Sequence, residues 1–202
     1  MSDAPRIGWG TPDGFDGQAY QARFDELEAS GTKVHGEADF VMSFAPESVL
    51  DAGCGTGRVA LELARQGVYV VGVDRDESML SVAEQRASAL SELVPAVRLR
   101  FVASDLAGLD LGGTFDVAVM AGNVPLFTSA GTEPELVASV ASHVRTGGVL
   151  ISGFQTTKGY ALESYDLHCA AGGLELVERV GTWDRAPFEA GGPYAVSVHR
   201  RP

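Results

Sequence analysis

The chain has 202 residues with 27 acidic and 15 basic side chains, a formal charge of −12 at neutral pH. Proteins that grip phosphate backbones carry a clustered basic surface, and the lysines and arginines here are dispersed, so neither nucleic acid nor an anionic membrane surface is expected as a partner. A hydrophobic content of 45% and a charged content of 21% suit one globular domain with a full-sized core.

No apolar run approaches the roughly 18 residues of a membrane-spanning helix. The opening Met1-Ser2-Asp3-Ala4-Pro5-Arg6 lacks the basic-then-apolar layout of a secretory signal. A cytoplasmic location is therefore expected. Two cysteines are too few for a disulfide framework, and no Cys/His group has zinc-ligand spacing, so no metal is expected.

Residues 1–14 mix Gly, Pro and Asp around Trp9 and read as a loose leader. Tyr20, Phe24 and Leu27 recur at helical spacing and predict an amphipathic helix over 16–30, ended by Gly31. A second short helix is expected from His35-Gly36-Glu37 to about Ala45, with Phe40, Val41 and Phe44 on one side. Pro46 stops it and feeds the first strand.

The stretch Val49-Leu50-Asp51-Ala52-Gly53-Cys54-Gly55-Thr56-Gly57 ends that strand and opens a helix over 57–66. Three glycines at alternate positions permit a sharp turn at φ > 0 and leave no Cβ to keep a ligand off the main chain. A nucleoside-type cofactor fits such a turn. Gly55-x-Gly57-x-x-Ala60 also satisfies the dinucleotide fingerprint, so the turn alone leaves two cofactors open.

Strand 68–74 ends in Asp74, about 20 residues after the first glycine, and suits ribose hydroxyls in either case. A helix over 76–91 follows, with Asp76 as its N-cap. Strand 97–102 then leads to Ser104-Asp105-Leu106. An acid there can accept from an adenine amino group, and Met79 and Leu106 offer apolar faces to the ring.

Strand 115–121 leads into the loop Gly122-Asn123-Val124-Pro125-Leu126-Phe127. Thr132-Glu133-Pro134 opens a helix over 132–145, which Gly147-Gly148 ends, and 149–154 is the fifth strand. A helix over 160–171 precedes strands at 174–183 and 194–199. The ten-residue connection Asp184 to Pro193 is too short for a helical crossover, so these last two strands should pair antiparallel. The alternation of strand and helix predicts an α/β fold with a parallel sheet covered on both faces.

Asp51 before the glycines, Asp74 after the second strand and Asp105 after the third make the chain resemble the class I S-adenosylmethionine-dependent methyltransferases, from about Val49 to the C-terminus. The resemblance implies a doubly wound, mostly parallel seven-stranded sheet of order 3-2-1-4-5-7-6, with the last strand antiparallel and helices on both faces. It implies S-adenosyl-L-methionine as cofactor, held by Asp51, Gly53, Gly55, Gly57, Asp74, Arg75, Met79, Ser104, Asp105, Leu106 and Ala121. The activity implied is in-line methyl transfer to a small-molecule acceptor. The alternatives are an NAD(P)-dependent oxidoreductase and a non-catalytic module that binds S-adenosylmethionine.

Residues 1–45 are expected to form a helical lid over a domain at 46–202, in a monomer or homodimer. Asn123, His35 and Tyr20 are the catalytic candidates. Asn123 follows the fourth strand, where the family places groups near the transferred methyl, although the loop departs at Val124 and Leu126 from the Asn-Pro-Pro-aromatic motif of adenine and glutamine amide methyltransferases. His35 is either a base or a helix-start histidine without a role. Tyr20 either closes over the cofactor or packs in the core. Arg58 reads as a solvated arginine rather than a ligand, and Gln155 and Trp183 as strand ends on the cofactor side.

Overall fold

The computed structural model describes residues 17–31, 35–94 and 97–202, with the side chains of Arg23 and Glu28 left out. The expectation placed on Trp9 and the leader lies outside the described residues. Helices α1 (Gly17–Ala29) and α2 (Gly36–Met42) precede β1 (Ser48–Ala52), α3 (Arg58–Arg65), β2 (Tyr69–Asp74), α4 (Glu77–Leu93) and β3 (Leu99–Ala103). The second half runs β4 (Phe115–Met120), a short 3-10 turn Val124–Leu126, α5 (Glu133–Ser142), β5 (Val144–Gln155), α6 (Leu162–Ala171), β6 (Glu175–Val180) and β7 (Tyr194–Arg200).

The seven strands form one sheet of order β3-β2-β1-β4-β5-β7-β6. Strands β1 to β5 pair in parallel, and β7 runs antiparallel to both β5 and β6. Alternate residues of the central strands serve opposite layers, as the two-residue strand period requires. Leu50, Val71, Ala118 and Leu150 face α5 and α6 together with Leu136, Val140, Tyr165 and Cys169. Val49, Val70, Val117 and Ile151 face α2 and α3 with Phe40, Val41, Val59 and Leu63. Strands buried on both sides read as near-continuous apolar runs, which is why they stand out in the sequence.

The junction of α5 and β5 differs from the expected one. Helix α5 stops at Ser142 instead of 145, and β5 begins at Val144. The carbonyl of His143 is taken by the N–H of Phe115 at 2.7 Å, which starts the β4–β5 ladder immediately after the helix. The register then shifts between Phe115 and Val117, and Gly147 and Gly148 lie within that irregular stretch rather than ending a helix. A Cβ on Gly148 would stand 2.7 Å from the Asp116 carbonyl, so glycine lets the strands meet there.

Helix α1 also differs in its buried face. Leu27 is exposed, while Gly17 and Gln21 are buried. A Cβ at Gly17 would meet the Ser78 carbonyl at 2.9 Å: α1 approaches the start of α4 closely enough to need glycine. Among the described residues no helix is long and apolar enough to cross a membrane.

Candidate active site

The carboxyl ends of β1, β2, β3 and β4 open onto a cavity of about 660 Å³. This is where parallel α/β sheets place their ligands, beside the point at which strand order reverses. Gly53, Gly55 and Gly57 have φ of 78°, 54° and 76°, values at which a side chain is strained. Their roles divide. A Cβ on Gly53 would lie 2.6 Å from Val124 Cγ2, and one on Gly57 would lie 2.9 Å from the Phe101 ring, whereas nothing stands within 4 Å of one on Gly55. Gly53 and Gly57 permit packing. Gly55 leaves the main chain bare to the cavity.

Asp74 fixes that bare turn. Its Oδ2 accepts the N–H of Gly55 at 2.8 Å and its Oδ1 accepts the N–H of Asp76 at 3.0 Å. Burial raises its pKa, and these N–H groups pull it back down. A carboxylate has about four acceptor positions, so these N–H groups leave capacity for a ligand. Asp76 caps α4 as expected, taking the N–H groups of Ser78 and Met79.

Asp51 is wholly buried with its Oδ2 on the Ala60 N–H at 3.0 Å, locking the turn to α3. Burial lifts its pKa from 3.8 to about 7, against the pull of Arg58 and the Ala60 N–H. Arg75, Met79, Ser104, Asp105 and Leu106 line the opposite wall, and Ala121 the floor near β4. Asp105 takes the Ala107 N–H at 3.0 Å and lies 3.8 Å from Arg75. Gly57, tucked under Phe101, is not part of the lining.

The three catalytic candidates separate. Tyr20 lines the cavity and packs on Phe24 with ring centroids 5.2 Å apart. Asn123 is outside the lining: it sits in a left-handed conformation at φ 69°, and its Oδ1 accepts the Gln155 N–H at 2.8 Å, bracing the loop against β5. His35 stands at the N-cap of α2, close enough to Glu62 to act on that carboxyl, and likewise outside the lining. Trp183 turns to Phe40 and donates to the Tyr194 hydroxyl at 3.0 Å, so neither it nor Gln155 borders the cavity.

Other residues also reach the site. Arg58 is not solvated: its guanidinium lies over the Phe24 ring and pairs with Glu37 through both nitrogens, at 2.9 and 2.5 Å. Val124, Phe127 and Thr128 close the β4 side, and Thr56 the turn. An arginine and a glutamate 21 positions apart announce no pairing, because only the packing of α2 on α3 brings them together.

A model of the methyltransferase domain matches residues 49–148. The fold superposes on a TehB-like S-adenosylmethionine-dependent methyltransferase from Corynebacterium glutamicum with a TM-score of 0.82 and 30% identity, over 92% of this chain and 98% of that one. A cypemycin N-terminal methyltransferase from a Streptomyces species is 32% identical over 143 residues, 68% of this chain and 54% of the relative. The putative methyltransferase YqeM of Bacillus subtilis is 32% identical over 105 residues, 51% of this chain. The chain spans 40% of the length of YqeM and about half that of the cypemycin enzyme. Near-complete mutual coverage at 30% identity and a TM-score of 0.82 place this chain in the class I S-adenosylmethionine-dependent methyltransferase family.

Proposed function

We propose that the chain binds S-adenosyl-L-methionine in this cavity and transfers its methyl group to a small-molecule acceptor. The observation that carries the reading is Gly55: its backbone, held by Asp74, faces open space where any other residue would place a side chain. A dinucleotide oxidoreductase is disfavoured by the sheet, whose β7 runs antiparallel between β5 and β6 where the dinucleotide fold continues in parallel.

Bound there, S-adenosylmethionine supplies a methyl group already activated on a sulfonium sulfur. The remaining acceptor capacity of Asp74 would take ribose hydroxyls. Met79 and Leu106 sandwich the adenine, and Asp105 accepts from its amino group. Asp51 and the turn hold the amino-acid end. Tyr20, Phe127 and Thr128 then wall the acceptor, keep water out and hold its nucleophile in line.

Positioning is most of what this chemistry asks, since no covalent intermediate is needed. A base is required only for an acceptor that must lose a proton first, and Tyr20 is the catalytic candidate that lines the cavity. Helices α1 and α2, from the stretch 1–45 expected to form the lid, act as a cover over the domain at 46–202.

Calorimetry with S-adenosylmethionine, S-adenosylhomocysteine and a nicotinamide dinucleotide tests the cofactor, and tighter binding of the dinucleotide would reject it. Incubating the protein with labelled cofactor and a metabolite extract tests transfer. Cofactor binding with no labelled product from any fraction would favour a non-catalytic binding module.

A further inference from the structure

Helix α1 is joined to the glycine turn through one buried amide. Gln21 is 6% exposed and Thr56 is 1% exposed. Gln21 Oε1 accepts the Thr56 hydroxyl at 2.7 Å and the Arg86 guanidinium at 3.1 Å, while its Nε2 donates to Asp25 at 2.7 Å. The same Arg86 Nη1 donates to the Thr56 carbonyl at 3.1 Å. Three segments of chain meet here: the cover helix, the cofactor turn and α4.

An apolar side chain at position 21 would pack α1 on α4 just as well. A buried amide instead costs free energy unless its bonds are made, and here those bonds select one placement of the helix. Gly17, one turn earlier, lets α1 sit within backbone contact of Ser78 and Met79. That placement turns Tyr20, the neighbour of Gln21, onto the cavity that Thr56 also lines.

We propose that Gln21 is a positioning residue: through Thr56 it couples the state of the glycine turn to α1, and so sets Tyr20 against the acceptor when the turn is filled. This rests on the reading that the turn binds S-adenosylmethionine. A ligand that orders the turn fixes Thr56, and Thr56 fixes Gln21. The acceptor wall thereby becomes firm only in the loaded protein.

The test is amide exchange on the full chain with and without S-adenosylhomocysteine. In the wild type, ligand should slow exchange in residues 53–58 and in 17–29, more than in 162–171. In Gln21→Met the turn should still be protected, while ligand-induced slowing in 17–29 falls by roughly tenfold. Gln21→Glu keeps an acceptor for Thr56 and Arg86 and should recover part of the slowing. A merely structural residue would raise exchange in α1 equally with and without ligand.

Thr56→Val deletes the same bond from the other side at nearly the same shape, and Thr56→Ser retains it. These two decide the matter if Gln21→Met does not fold. Equal ligand-induced slowing of 17–29 in wild type and Thr56→Val or Gln21→Met overturns the coupling. Protection of the turn without any slowing in wild-type α1 also overturns it, leaving the cofactor reading intact. No binding of S-adenosylhomocysteine by the wild type overturns that reading and this inference together.

Discussion

The Asp74 carboxylate accepts the Gly55 N–H at 2.8 Å, so the acid that ends the second strand is tied to the middle of the turn that follows the first. One side chain therefore shapes the turn and presents the ligand acceptor. Asp74→Ala should weaken S-adenosylmethionine by about 1.5–3 kcal/mol, the usual worth of hydrogen bonds to a charged acceptor. Asp74→Asn keeps one acceptor for Gly55 and should lose less. Calorimetry returning wild-type affinity for Asp74→Ala would remove Asp74 from the site.

Gly53 and Gly55 share a positive φ but differ in surroundings, and substitution should separate them. Gly55→Val meets no protein atom within 4 Å of its Cβ. It should remain folded at a strain cost of about 1–2 kcal/mol, yet lose cofactor binding. Gly53→Val drives its Cβ to 2.6 Å from Val124 Cγ2 and should lower the melting temperature further. A folded Gly55→Val protein with unchanged affinity would mean that the ligand lies elsewhere.

Asp51 makes stability depend on pH. Its folded pKa of about 7 lies above the ordinary 3.8, so the folded state holds the proton more tightly than the unfolded chain. That contribution is fully present below about pH 4 and is lost as pH rises through 7. Asp51→Asn cannot ionise. Without ligand it should exceed the wild type in stability by up to about 4 kcal/mol at pH 8, with the difference fading toward pH 4. Urea titrations at the two pH values check this; a difference independent of pH would show that the Asp51 proton is not the cause.

Glu37 and Arg58 form a largely buried pair, with side chains 17% and 14% exposed. Removing one partner strands the other charge, so Glu37→Gln should cost about 3 kcal/mol. Replacing both, with Glu37→Leu and Arg58→Met together, should cost less than the sum of the single changes. Chemical denaturation of the four proteins in a double-mutant cycle measures the coupling, and strict additivity would show the pair to be energetically silent.

The strands and the glycine turn were legible because each leaves a local mark, whereas the strand order was implied by the family resemblance. Strands buried on both faces are continuous apolar runs, and a turn at positive φ asks for glycine at fixed positions. Asp51, Asp74 and Asp105 could be placed for the same reason: each sits at the end of such a strand, and strand ends converge in a parallel sheet. The boundary of α5 was not legible, since the Phe115–His143 bond that starts the ladder joins residues distant in sequence.

The acceptor side was decided by tertiary structure alone. Asn123 and His35 are residue types that could do chemistry, but whether a side chain faces a cavity depends on bonds made across the fold. Asn123 spends its Oδ1 on the Gln155 N–H, and His35 stands at the N-cap of α2, outside the cavity lining. Gln21 carries no mark in the sequence, and Arg58 reads there as a solvated arginine. Their partners Thr56, Arg86 and Glu37 lie between 21 and 65 positions away, beyond any periodicity a helix or strand imposes, and only the docking of α1 on α4 and of α2 on α3 brings those charges and dipoles within bonding distance.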